Sequence, residues 1–180
     1  MNFSAACVII IYGEVINRGK SEYDYIKNII RRNYFMCGIV GYVGQRDCTD
    51  VLMQGLEKLE YRGYDSAGIA VFEKTGIKTV KTKGKLADMR HKLDIEGSPV
   101  GHCGIGHTRW ATHGEPSDIN SHPHTNGRVT IVHNGIIDNY IELKEFLTEK
   151  GYTFTSQTDT EVVACLLDYY CLLYTSDAAD

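Results

Sequence analysis

From residue 37 onward the hydrophobic period of the chain switches repeatedly between about 2 and about 3.6, with turn residues at the switches, so the fold must be one in which short strands and helices follow one another. Strands are expected over 37–43, 67–72, 77–83, 102–108 and 128–133. A helix is expected over 49–61, where Val51, Leu52, Gly55, Leu56 and Leu59 share one face and Gly63 is a stop signal. Leu86, Met89 and Leu93 mark a second short helix, and further helices are expected over 141–150 and 160–170. Thr158 and Glu161 have capping-box spacing at the start of the last one. Lys74-Thr75-Gly76 reads as a hairpin turn into the strand over 77–83. A long polar loop separates the strands over 102–108 and 128–133, a length that in a compact domain points to a function. No internal repeat is visible.

Composition removes several function classes. A chain of 180 residues that is 43% hydrophobic has the size and apolar content of about one globular domain, and its 18 Gly and 3 Pro fit neither a collagen repeat nor a proline-rich linker. Its apolar runs, such as residues 8–11, fall far short of the ~20 residues that cross a bilayer, and no secretory signal is read. Nineteen Lys and Arg against 23 Asp and Glu leave a net charge of -4, without a footprint for nucleic acid or an anionic membrane. Residues 1–36 nonetheless carry five basic and three acidic side chains, which sets them apart from the acidic remainder. Six cysteines with irregular spacing and no Cys-x-x-Cys pair suggest neither a disulfide framework nor a zinc ribbon, so a reducing cytoplasm is expected. Lys78, Lys81, Lys83 and Lys85 read as a solvated strand face, since no phosphate-loop spacing surrounds them.

The chemistry-bearing positions each admit two readings. Cys37 opens an apolar strand and by burial statistics is a core residue; if Met36 were the initiator, its removal would place an α-amine of pKa ~7.7 to 8.0 beside the thiol, a competent general base. Arg109 is a solvated ion-pair partner or a bidentate clamp for a carboxylate. Trp110 is packing or a lid. Asn134-Gly135 is a strong hairpin signal and, compatibly, an oxyanion hole in which the Asn134 amide and the Gly135 N–H face a developing negative charge. Asp159 stabilises a helix start with or without a ligand. Six of the seven histidines fall between 102 and 133, but their spacing lacks a metal-ligand signature, and neither a metal nor a cofactor is expected.

In order, Met36-Cys37-Gly38-Ile39-Val40-Gly41, the run from Tyr61-Arg62-Gly63-Tyr64-Asp65-Ser66 to Ala70, His107 to Gly114, His133-Asn134-Gly135 and Thr158-Asp159-Thr160-Glu161 resemble the class II glutamine amidotransferases. The Arg-Gly-Tyr-Asp-Ser-Ala-Gly run, and the stretch from Thr108 to Pro116 followed by His122-Pro123-His124, are similar to the branch that aminates fructose 6-phosphate. The resemblance implies an α+β fold of N-terminal-nucleophile hydrolase type, an αββα sandwich, here truncated. It implies Cys37 as the nucleophile on the glutamine side-chain amide, with its free α-amine as base. Asn134 and Gly135 become the oxyanion hole, Arg109 the clamp on the substrate α-carboxylate and Asp159 the partner of its α-ammonium. Thr112 and His113 match the glutamine-site loop and Trp110 a residue that closes it. In the complete enzyme, implied to be a homo-oligomer, ammonia passes to a separate sugar-isomerising region that binds fructose 6-phosphate.

The sequence departs from the family in three places. The 35 residues ahead of Met36 would make the Cys37 nitrogen an amide and the chain inactive as written, so residues 1–35 are expected to lie outside the mature protein, with Met36 the natural start or the leader removable. The family's glutaminase domain continues well past residue 171, so residues 36–170 form a partial glutaminase domain expected to lack strands of the sheets; residues 171–180 read as a tail foreign to the family, and the sugar isomerase domain is absent. Two other readings stand beside this one: an N-terminal-cysteine amidohydrolase for other amides, which the Arg109 and Asp159 pair argues against, and a catalytically silent module that binds a partner.

Overall fold

A computed structural model describes residues 7–12, 37–111 and 114–177, with side chains described over 37–111 and 114–172. The elements in chain order are β1 (Cys7–Tyr12), β2 (Gly38–Val43), α1 (Cys48–Glu57), a single 3-10 turn (Glu60–Arg62), β3 (Ser66–Glu73), β4 (Gly76–Lys83), α2 (Leu86–Glu96), β5 (Cys103–Arg109), β6 (His124–Asn126), β7 (Val129–Asn134), α3 (Tyr140–Glu149) and α4 (Asp159–Asp177). They form a four-stranded antiparallel sheet in the order β2-β5-β3-β4 and a three-stranded sheet in the order β1-β7-β6, in which β1 runs parallel to β7.

Period-2 alternation assigns the two faces of the larger sheet to different neighbours. Ala67, Ile69 and Val71 of β3 and Val80 of β4 pack with Cys48, Leu52, Met53 and Leu56 of α1 and Leu86, Met89 and Leu93 of α2 in one buried cluster. Gly104 and Gly106 of β5 lie on this face, where a Cβ would stand 3.0 Å from Leu52 Cδ1 and 3.1 Å from Leu56 Cδ1, so α1 seats directly on the strand. The opposite face meets the smaller sheet through Ala70, Ile105 and Val132. Val129 and Ile131 of β7 turn outward onto Ala164 of α4, and Leu147 of α3 packs with Val162 and Cys165. The layers are therefore helix, sheet, sheet, helix.

The five expected strands and four expected helices are all present, with shifted ends. The helix expected over 49–61 stops at Glu57 and gives way to the 3-10 turn, and α4 runs to Asp177, seven residues past its expected end. The hairpin from β3 to β4 pairs Glu73 with Gly76, which leaves a two-residue loop. Asn134-Gly135 makes no hairpin: β7 ends at Asn134, Gly135 takes φ 151°, and the chain turns into α3 instead of returning as a strand. The capping box also forms differently. Glu161 reaches past Thr158 to the backbone N–H groups of Thr155 (2.9 Å) and Ser156 (2.7 Å), while Thr158 Oγ1 meets His124 Nε2 (2.9 Å). Lys81 is not on a solvated face. Its Nζ donates to the carbonyls of Ile119 and Pro123, both at 3.2 Å, and burial pushes its pKa down to about 8.

Candidate active site

The loop that follows β5 is folded back between the sheets. A Cβ on Gly68 would stand 1.9 Å from the His122 carbonyl oxygen, so β3 accepts this loop only with glycine at that position. Asp118 pins it by accepting from the Lys83 N–H (2.7 Å) and Lys92 Nζ (2.8 Å). Asn120 joins it to the start of α4 by donating to Gln157 Oε1 (3.1 Å) and accepting from the Gln157 N–H (2.9 Å). The loop, the end of β5, the end of β7 and the first turn of α4 thus meet at one end of the sandwich.

Cys37 lies there, immediately before β2, with the Gly38 N–H donating to Thr108 Oγ1 at 3.1 Å. Its sulfur accepts from the Trp110 N–H at 3.2 Å, and its carbonyl accepts from Asn134 Nδ2 at 2.9 Å. Burial pushes the thiol pKa up, opposed by the Trp110 N–H and the Arg109 charge and reinforced by the Asp65 charge. A thiol raised in this way yields little thiolate at neutral pH without a base beside it.

Arg109 ends β5 and is 4% exposed. Burial lowers its pKa, and the negative charges of Asp65, Cys37 and Asp159 act against that lowering. Asp159 is the first residue of α4, is buried, and accepts from the Ile137 N–H at 2.8 Å. Trp110 stands at the lip, 39% exposed. Gly135 is exposed beside Asn134. Thr112 and His113 lie outside the described residues. The structure therefore gathers Cys37, Arg109, Trp110, Asn134, Gly135 and Asp159 from four separate stretches of sequence.

Two further residues belong to the site and were not singled out from the sequence. Asp65 donates its N–H to the Arg109 carbonyl (2.8 Å) and accepts the Ala111 N–H on Oδ2 (2.5 Å), gripping the strap on both sides of Trp110. His107, wholly buried, touches the Asn134 amide at 2.8 Å. Period 2 along β5 was the available signal for His107, because it shares a strand face with Arg109. Of the clustered histidines, His107 and His122 stack at 4.3 Å and His122 meets His124 edge-on at 4.8 Å. Burial lowers the pKa of all three, to about 4 for His107. His102 is elsewhere, beside the Arg46 carbonyl. Among the described residues, no group of three or more His, Cys, Asp or Glu is placed to hold a metal ion, and no helix is long and apolar enough to cross a membrane.

Two packed sheets between helical layers, with a cysteine at the head of the first strand of the larger sheet, define an α+β fold of N-terminal-nucleophile type. Among solved structures, the glutamine phosphoribosylpyrophosphate amidotransferase from B. subtilis complexed with ADP and GMP superposes with a TM-score of 0.61 at 27% identity, over 72% of this chain and 29% of that one. The family described as the glutamine amidotransferase domain matches residues 81–172, and the chain belongs to the class II glutamine amidotransferases. It is 61% identical over 137 residues to the glutamine–fructose-6-phosphate aminotransferase (isomerizing) of Clostridium tetani, covering 75% of this chain and 22% of that relative. The enzyme of the same name from Thermus thermophilus is 59% identical over 138 residues, covering 74% of this chain and 22% of the relative. The chain thus spans about a fifth of the length of the curated relatives it matches.

Proposed function

We propose that residues 37–170 are the glutamine-hydrolysing part of a glutamine–fructose-6-phosphate aminotransferase. The observation that carries the reading is the meeting of Cys37, Arg109, Asn134 and Asp159 at one end of the sandwich, with Asn134 bonded to Cys37 and Arg109 within the field of Asp65 and Asp159. Glutamine presents an α-carboxylate, an α-ammonium and a side-chain amide. Arg109 suits the first as a bidentate donor and Asp159 the second as its counter-charge. The Cys37 sulfur attacks the amide carbon as the α-amine takes the thiol proton, and the charge that develops on oxygen is met by Asn134 Nδ2–H and the Gly135 N–H. Collapse expels ammonia and leaves a thioester, which water cleaves to glutamate and the free thiol. Thr112 and His113 complete the glutamine loop in this reading, and Trp110 closes it. No metal or cofactor is needed. In the complete, cytoplasmic, homo-oligomeric enzyme, ammonia reaches fructose 6-phosphate on a separate sugar region; residues 1–35, β1 included, lie outside the mature enzyme, and the match to the family domain reaches residue 172.

With Met36 attached, the Cys37 nitrogen is an amide, and this favours a second reading, a silent module of the same fold. One experiment separates them. Intact mass is measured before and after treatment with an electrophilic glutamine analogue, on the whole chain and on a chain whose N-terminus is Cys37, together with glutamate release. The expected outcome is one adduct and glutamine hydrolysis only when Cys37 is N-terminal, both lost in Cys37→Ala. Hydrolysis indifferent to Cys37→Ala overturns the assignment, and no adduct on either chain supports the silent module.

A further inference from the structure

His107 belongs to the site through its contact with Asn134 and takes no step in the reaction above. It lies on β5 between the sheets, with Ile105 two residues before it and Arg109 two residues after, and the hydrogen bonds around it leave little freedom. The Cys37 carbonyl can only accept, so Asn134 must turn its Nδ2 toward it, as the 2.9 Å contact records. That orientation points Asn134 Oδ1, itself only an acceptor, at His107 Nε2, 2.8 Å away. Two lone pairs facing each other at this distance would repel, so Nε2 carries the hydrogen and donates. The ring, fully enclosed and held near a pKa of about 4 by burial, against which the Asn134 amide and the His133 backbone act, is neutral at pH 7; with the hydrogen on Nε2, Nδ1 is the bare nitrogen, and it meets no group in hydrogen-bond geometry among the described residues.

An asparagine amide rotated by half a turn occupies nearly the same space but exchanges donor for acceptor. At Asn134 that exchange would aim a carbonyl oxygen at the charge developing on the substrate. Asn134 Nδ2 has two hydrogens: the Cys37 carbonyl takes one, and the second is left for a ligand. We propose that His107 is a positioning residue, whose Nε2–H holds the oxygen end of the Asn134 amide while the Cys37 carbonyl holds its nitrogen end, so that together they keep the one orientation that presents this second hydrogen to the oxyanion. The inference rests on the glutaminase reading for its catalytic meaning, and on the hydrogen-bond geometry alone for the lock.

The test has two readouts. On the full chain labelled with [15N]histidine, ring-nitrogen shifts should show His107 in the Nε2–H form, unchanged from pH 7.5 to 5.5, and Asn134→Ala should abolish that fixed tautomer. An Nδ1–H ring, or one that titrates in this range, overturns the lock. For catalysis, a specific-protease site is placed directly before Cys37 in the full chain and cut after folding, so that both pieces stay present. His107→Phe is then expected to lower kcat for glutamine by about 10²-fold, the lower end of the effect of losing one oxyanion donor because the Cys37 carbonyl still holds one Nδ2 hydrogen, with KM within about twofold. His107→Gln, which keeps an N–H near the Nε2 position, should recover kcat to within about tenfold of the parent. Equal impairment in both variants, or a change confined to KM, overturns the positioning role. Should His107→Phe fail to fold, His107→Gln and the tautomer decide. If the parent hydrolyses no glutamine, the glutaminase reading fails, and the tautomer still decides whether His107 holds Asn134.

Discussion

On the helix side of β5, Gly104 and Gly106 let Leu52 and Leu56 of α1 lie against the backbone. On the other side of the same strand, Ile105 touches Val132, and His107 and Arg109 run on into a layer of hydrogen-bonded polar groups. The first face is held by burial, which is roughly proportional to area and indifferent to direction. The second depends on which atom donates and which accepts, because each buried polar group left unmatched costs about 1–3 kcal/mol. One strand therefore carries stability on one side and specified chemistry on the other.

The sharpest way to break this division is through its apolar half. Leu56→Ala leaves a cavity under β5 and should lower the unfolding free energy by about 3 kcal/mol in urea denaturation, while the Nε2–H tautomer of His107 persists. A loss below about 1 kcal/mol would mean that α1 does not seal this face. The polar half should respond to acid. Unfolded imidazoles take up a proton near pH ~6.5, but folded His107 does so only near about 4, so the unfolded state binds more protons in between. Stability is full above ~6.5 and is lost as the pH falls toward 4, by about 2 kcal/mol for His107 alone between pH 7 and 5, with His122 and His124 acting in the same direction. Denaturation midpoints across that range measure it. Glu161, whose carboxyl is held below its usual value of 4.5, contributes stability that is lost only at lower pH, as it falls below that value. A stability flat from pH 7 to 5 would show that the histidine layer is solvated. The smallest effect belongs to neither face: Arg90→Ala removes an exposed ion pair with Glu57 and should change stability by less than about 1 kcal/mol, less still in high salt.

What the sequence disclosed follows the same line. Strands β2 to β5 and β7 and all four helices were legible because their burial is periodic, as with Leu52 and Leu56 on α1 or Ile69 and Val71 on β3. The short β6 was not, since three residues inside a polar loop show no period. Nor was the pairing of β1, because a parallel partner more than a hundred residues away leaves no local mark on residues 8–11. At Asn134-Gly135 the local turn preference was overruled, with Asn134 committed to His107 and Cys37 and the chain passing on into α3. The candidate site came into view through ordered motifs, while Asp65 and His107 escaped because their importance lies in whom they bond, and bonding partners are a property of the folded molecule.

The parallel pairing of β1 with β7 also imposes a schedule. When synthesis begins at Met1, Val8 to Ile11 leave the ribosome early, yet their partners, Thr130 to His133, are made more than a hundred residues later. At about 5–20 residues per second of synthesis, this apolar segment waits roughly 6 to 24 seconds before a complementary edge exists. Over that interval the nascent chain carries an unmatched strand that any neighbouring polypeptide can pair with, so the first strand to be made is among the last that can be secured.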